Sequence, residues 1–430
     1  MRLGGRLAGA IEVLADIDAR KRPVADALKD WGLSHRFAGS GDRAAIGNIV
    51  YDALRMRLSH AWLMDDETPA ALAHAVMFRQ WGMTPESLAA ELKDDRFAPP
   101  PLDAVQLSAF ASRRLSDAPE HVQGDIPEWI EPSLKKGFGD AWLDEAKALA
   151  GRPTLDLRTN TLKATRDKVV KALERSGAQP ANIAPNGIRI AAGEGPSRLP
   201  NVTAELSFQK GWFEVQDEGS QIVAALAAPQ EHDQVLDYCA GGGGKTLAMA
   251  AAMQNKGQVH AYDADRKRLA PIIERLKRAG TRNVQVHDNR NDLLASRGRF
   301  DRVLVDAPCT GTGTWRRRPD TKWRLTAKNL DERIAQQREA LAQAAEFVRP
   351  GGALIYITCS VLPEENEAQV DRFCAENPDF EILPVLDTWN GLFGTAAPRP
   401  RSSDGKTVTL TPATTDTDGF FFCHMRRRPA

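Results

Sequence analysis

From Gln234 onward the chain alternates short apolar runs, each ending on polar residues, with longer amphipathic stretches. The runs are QVLDYC (234–239), VHAYD (259–263), VQVHD (284–288), RVLVDAP (302–308) and ALIYITCS (353–360). Such short runs bounded by polar residues read as buried strands. Stretches such as RKRLAPIIERLKRAG (266–280) read as helices between them, with Gly280 suited to a C-cap. Strands alternating with helices at this spacing predict an α/β, doubly wound, Rossmann-like parallel sheet. Ligands in such sheets bind beyond the carboxyl ends of the strands. The last residues of each run therefore lie on the binding edge.

The remainder organises around this sheet. Residues 1–150 read as helical, with apolar residues at helical spacing such as Ile46, Val50 and Leu54, and a break at FAPPPLD (97–103). Residues 151–210 read as a small α+β subdomain, containing LDLRTN and GIRIAAG as strands and RDKVVKALERSG as a helix. Residues 211–430 form the main domain. No apolar run approaches the ~18–20 residues that a membrane span requires. The N-terminal stretch lacks the apolar core of a secretory signal and reads as an amphipathic helix, so a cytoplasmic location is expected.

Five cysteines, Cys239, Cys309, Cys359, Cys374 and Cys423, are an odd number and widely spaced, which is not a disulfide framework. No zinc-type CxxC or His/Cys cluster occurs, and no metal is expected. The formal net charge is zero, which does not by itself advertise a nucleic-acid partner. The balance is uneven, however. Acidic residues outnumber basic ones in the first 150 residues and the reverse holds afterwards, with clusters at Arg316–Arg318 and Arg426–Arg428. Trp315 and Trp323, interleaved with the first cluster, are candidates either to stack on bases or to anchor the surface.

LDYCAGGGGKT (236–246) follows a strand and opens a helix, so its backbone N–H groups can hold polar ligand atoms. A G-x-G-x-x-G fingerprint fails at Thr246. A P-loop would need glycine where Cys239 stands, although RVLVDAP mimics the acid-ended strand that holds magnesium. The third reading is an S-adenosylmethionine loop. Asp263 lies 22 residues after Gly241, about where a ribose-binding acid is expected, with a helix N-cap as the alternative. Asp288 ends the next strand, placed either to accept from an adenine amino group or to make a turn.

Two further strands end in Asp306-Ala307-Pro308-Cys309 and Thr358-Cys359-Ser360. A lone strand-end cysteine is usually packing. Two beside one ligand site point to reactive thiols, because a thiolate is an effective nucleophile. Cys374 and Cys423 read as packing.

These residues resemble the RsmB/Nop/Sun family of RNA (cytosine-5)-methyltransferases. The resemblance runs through RTNTLK (158–163), FEVQDEGSQ (213–221), LDYCAGGGGKT, DAPCTGTG (306–313), RRRPDTKW (316–323), TCSVLPEENE (358–367) and DGFFF (418–422). It implies an S-adenosylmethionine-dependent methyltransferase domain preceded by an α+β subdomain and a helical, NusB-like domain. It implies RNA, ribosomal RNA in particular, as the substrate and a monomer as the working form. Cys359 is then the nucleophile, Cys309 assists loss of the carbon-5 proton and release, and Asp306 hydrogen-bonds the cytosine edge and the cofactor. Cofactor binding is expected at Cys239, Ala240, Gly241, Gly242, Gly243, Gly244, Lys245, Asp263, Asp288 and Asp306. RNA contacts are expected at Arg316–Arg318 and Lys322. The family's loop usually reads Cys-Ala-Ala-Pro-Gly-Gly-Lys, so Gly241 and Gly242 depart from it and add backbone freedom. Thr310 stands where serine is common. A non-catalytic RNA-binding protein is the alternative, against which the presence of both cysteines argues.

Overall fold

The computed structural model describes residues 1–402 and 404–429. They form two compact units: Met1–Pro153 with Ala192–Leu199 and Thr314–Leu325, and Thr154–Ala191 with Pro200–Gly313 and Thr326–Ala430.

The first unit is helical. Helices Leu3–Arg20, Ser40–Arg55 and Pro69–Arg79 bury one another's apolar stripes through Leu7, Leu14, Ile46, Val50, Leu72 and Val76. The last of these starts sharply because Thr68 caps the N–H of Ala71 and Pro69 occupies the first turn. No helix among the described residues is long and apolar enough to cross a membrane.

The segment RRRPDTKW belongs to this unit, and its placement corrects one expectation. Lys322 is 1% exposed and donates to the carbonyl of Arg55 at 2.9 Å, and Arg316 is also buried. Trp323 donates to the carbonyl of Leu54 at 2.6 Å, and Trp315 is 1% exposed. Lys322, Arg316 and Trp315 are thus interior anchors and not a face offered to RNA. Long-range partners decide the matter: Arg55 donates to the carbonyl of Arg316 at 2.7 Å across 261 residues of sequence.

Burial pushes the Lys322 ammonium down to about 8, against the opposing pull of Asp125, whose own carboxyl burial raises. The folded chain therefore releases this proton well below the usual 10.5 of a lysine. Between those two values unfolding takes up a proton, so rising pH favours the folded state, whereas below about 8 the buried charge is a constant cost. Relative to Lys322→Met, the wild type should gain roughly 1–3 kcal/mol between about pH 7.5 and 10. Urea midpoints of both proteins across that range read it out. A flat difference would mean that Lys322 keeps its proton in the fold.

The second unit holds two sheets. The smaller is antiparallel, in the order β2-β3-β1-β4, from β1 (Leu155–Thr159), β2 (Gln179–Pro180), β3 (Gly187–Ile190) and β4 (Phe213–Val215). The larger contains the five expected parallel strands β5 (Gln234–Asp237), β6 (Gln258–Tyr262), β7 (Val284–His287), β8 (Phe300–Asp306) and β9 (Val348–Thr358), in the order β9-β8-β5-β6-β7. The sheet is mixed, because β12 (Phe420–Arg427) adds antiparallel to β9. β10 (Phe380–Leu383) and β11 (Thr407–Leu410) both pair with β12. Helices cover both faces, so the strands are apolar throughout, with Val235, Leu236, Val303, Leu304, Ile355 and Tyr356 all fully buried. Strand order reverses between β5 and β8. The crevice of an open α/β sheet lies at such a switch point.

The helix after β6 divides at Pro271 into Arg266–Leu269 and Ile272–Ala279, and Gly280 closes it with φ 71° as expected. Cys423 is fully buried and Cys374 packs its sulfur 3.9 Å from that of Met425.

Candidate active site

The loop after β5 is shaped by its glycines. Gly241 and Gly243 have φ of 49° and 80°, in the left-handed region that favours glycine. A Cβ on Gly243 would also meet Ile272 at 2.4 Å. Asp263, at the end of β6, accepts the N–H of Gly241 at 2.9 Å and that of Asp265 at 2.8 Å. Its carboxylate is therefore aimed at the loop, and the N-cap role falls to Asp265 instead. Asp288, just past β7, is exposed, and its carbonyl accepts from Arg266 at 2.9 Å.

The freedom that Gly242 introduces is restrained from outside the loop. Arg275 donates to the carbonyl of Gly242 at 2.5 Å and is itself held by Glu214 at 3.0 Å. Gly243 resting on Ile272 and Gly242 held by Arg275 fasten the loop to the helix Ile272–Ala279. Nothing in the local sequence announces Arg275, since its partner Glu214 is 61 residues away.

Beneath the loop, Thr246 donates to Asp237 at 2.6 Å. Burial raises the Asp237 carboxyl to about 7, and its Oδ1 is a buried acceptor with no hydrogen-bond partner. Across the switch point, Lys245 meets Asp306 at 2.6 Å. Burial opposes the charge on Lys245, but Asp306 outweighs it and the ammonium is held above its ordinary range. The same ammonium interacts electrostatically with Cys359.

The ends of the paired strands β8 and β9 bring the two cysteine sulfurs to 3.3 Å. The hydrogen bond to Cys359, and then burial, push the Cys309 thiol well up, so Cys309 keeps its proton. The two sulfurs thus share one contact and differ in their other neighbours: Glu365 and Asp306 lie electrostatically near Cys309, and the Lys245 ammonium near Cys359.

A polar lattice sets this spacing. Glu365 is fully buried and accepts the N–H of Thr310 at 2.8 Å, the hydroxyl of Thr310, and the amide of Gln337 at 2.8 Å. Gln337 also donates to the carbonyl of Pro308 at 3.0 Å, so the loop carrying Cys309 is held on both sides of the sulfur. On the other strand, Asn366 accepts from Thr358 at 2.6 Å and donates to the carbonyl of Ser360 at 3.0 Å. Gly313 donates to the carbonyl of Cys359 at 3.0 Å and ties the two loops together. A Cβ on Gly313 would meet Gly419 O at 2.2 Å, which explains a glycine at the end of DAPCTGTG and another within DGFFF. Thr310 supplies the hydroxyl that a serine would.

The structure thus brings together Cys239–Lys245, Asp263, Asp306, Cys309 and Cys359 around one sheet edge, with Asp288 exposed at its far end. Sequence reasoning missed Glu365, Asn366, Gln337 and Arg275. The first two stand inside TCSVLPEENE, where their acidic and amide character was visible. The other two sit on helices without a local signal. Among the described residues no group of side chains is arranged to hold a metal ion.

The chain as a whole is similar to known proteins. The profile described as 16S rRNA methyltransferase RsmB/F matches residues 224–426, and that of its ferredoxin-like domain matches residues 126–194. The chain is 34% identical over 326 residues to the ribosomal RNA small subunit methyltransferase B of Cronobacter sakazakii, covering 74% of this chain and 71% of that protein. Among solved structures, PH0851 is 23% identical with a TM-score of 0.74 and covers 99% of both chains. NSun6 from Pyrococcus horikoshii, solved with SFG, is 22% identical with a TM-score of 0.61 and covers 71% of this chain and 99% of that one. With the profile, the identity and the shared architecture in agreement, the chain belongs to the RsmB/F family of 16S rRNA methyltransferases.

Proposed function

We propose that this chain methylates carbon 5 of a cytosine in the RNA of the small ribosomal subunit, through a covalent bond between Cys359 and the base. One observation carries the reading. Two thiols stand 3.3 Å apart at the ends of paired strands, close enough to serve one bound base, and the Cys309 thiol is held well up. The relatives' names supply the class of RNA.

S-adenosylmethionine, when bound, supplies an electrophilic methyl group. The residues present fit it. The left-handed Gly241 and Gly243 leave the loop without side chains at a helix start, where backbone N–H groups favour polar ligand atoms. Asp263 stands at the end of β6 for the ribose hydroxyls, and Asp237 keeps a buried acceptor oxygen without a partner. Cys239 to Lys245, with Asp263, Asp288 and Asp306, would hold the cofactor. A structure solved with SFG has this fold, which supports a ligand of that class.

Carbon 5 of cytosine is a poor nucleophile until carbon 6 is attacked. Cys359 adds to carbon 6 as its thiolate and pushes electrons toward carbon 5. Asp306 hydrogen-bonds the base edge where charge develops, and Lys245 holds it in place. Carbon 5 then carries both the new methyl group and its original proton. With Cys359 consumed in a C–S bond, the chief influence that kept Cys309 protonated is gone. Cys309 then gives its own proton to solvent and, as a thiolate, removes the carbon-5 proton. The released electron pair re-forms the C5–C6 double bond and expels the Cys359 sulfur as a thiolate.

Purified protein, S-adenosylmethionine and transcribed 16S rRNA should yield a bisulfite-resistant cytosine. Methylation at a base other than cytosine, or at an atom other than carbon 5, would overturn the reading.

A further inference from the structure

We infer that a basic and aromatic face built from Lys163, Lys168, Lys210, Arg278, Phe208 and Trp212 receives single-stranded RNA and leads it toward the cofactor loop. The inference rests on the proposed RNA substrate and adds where on the second unit that RNA is held.

The face is a local excess of positive charge in a chain whose total charge is zero. Much of the chain's positive charge sits opposite carboxylates, as in Arg152–Asp52, Arg189–Asp156, Arg302–Asp233 and Lys256–Glu231. Arg278 is matched in the same way by Glu214 at 2.5 Å. Lys163, Lys168 and Lys210 are exposed, and among the described residues none of the three forms an ion pair. They therefore carry the excess.

These cations lie over aromatic rings. Lys168 stands 4.1 Å from the Trp212 ring centre and Lys210 5.6 Å from it, while Arg278 stands 4.2 Å from that of Phe208. An aromatic platform edged by mobile ammonium groups is what single-stranded nucleic acid uses. A base stacks on the ring as the lysines move to the flanking phosphates.

The face is also one rigid surface, although its residues come from three parts of the chain. Gly211 has φ 74°, and a Cβ there would meet Arg278 O at 2.0 Å, so the two backbones touch. Buried Asn160 donates to the carbonyls of both Gly211 and Ala279 at 2.8 Å. Lys163 donates to the carbonyl of Arg278 at 2.6 Å. The element shared by all these contacts is the helix Ile272–Ala279, whose other end supports Gly243 through Ile272. Eight residues span about 12 Å. RNA bound on this face therefore lies roughly one short helix from the cofactor loop.

The test compares wild type with the Lys163→Ala/Lys168→Ala/Lys210→Ala variant, using transcribed 16S rRNA across a salt series and S-adenosylmethionine binding as the control. RNA affinity should fall by roughly 10- to 100-fold at about 0.1 M salt, and the log–log salt slope should become shallower by about 2. Cofactor affinity should not move, and the melting temperature should fall only by the small loss of the Lys163 bond to the carbonyl of Arg278. A triple Lys→Arg variant should keep the slope, and Trp212→Ala should weaken binding roughly tenfold at any salt concentration. Unchanged affinity and slope in the alanine variant would overturn the inference while leaving the function intact. A wild type that neither binds nor methylates the RNA would overturn the function itself.

Discussion

Cys359→Ala is expected to lose methyl transfer to rRNA by about 10³-fold or more, because without the sulfur no adduct at carbon 6 can form and carbon 5 stays unreactive. Binding of RNA and of S-adenosylmethionine should survive, since the side chain is small and half-exposed. Stability should change little for the same reason. The loss therefore belongs to kcat, and single-turnover assays at saturating RNA and cofactor separate it from weakened binding. A variant that kept a tenth of the wild-type rate would remove Cys359 from the chemistry.

Asp306→Asn is expected to lower kcat by roughly 10²- to 10³-fold while KM for RNA stays near the wild-type value. The amide keeps the shape but no longer holds Lys245 at 2.6 Å as an ion pair. Lys245 is 7% exposed, so it depends on that carboxylate for its charge and its position. Once the pair is broken, Asp306 is no longer fixed against the base edge and the buried Lys245 ammonium is left without its partner. Lys245→Met should then add little to the defect of Asp306→Asn, since the two act as one unit. Additive losses in the double variant would show that the two residues act separately.

The parallel strands, the glycine loop and the two strand-end cysteines were legible in the sequence because their signals are local. Each strand is a short apolar run ended by polar residues, and Gly243 needs only its own φ and one neighbour to explain it. The antiparallel additions were not legible. Phe420–Phe422 reads as a strand, but which strand it pairs with is fixed by contacts with β9 more than 60 residues earlier. Arg316 and Lys322 show the same limit in reverse. A run of charges reads as a solvated face until a partner such as Arg55 is known to cover it. Asp263 lies at the end of β6 within reach of the loop, but the sequence does not show that it holds the N–H of Gly241. Gly242 looked like lost rigidity, and only the structure supplies Arg275 as the restraint.

The central claim is a division of labour between two sulfurs 3.3 Å apart. The most direct measurement is denaturing electrophoresis of Cys309→Ala after incubation with 16S rRNA and S-adenosylmethionine. With Cys359 free to attack and no thiol to take the carbon-5 proton, a covalent protein–RNA species should accumulate, and it should vanish when Cys359→Ala is added. An adduct trapped in Cys359→Ala instead, or methylated RNA released at the wild-type rate by Cys309→Ala, would contradict the account.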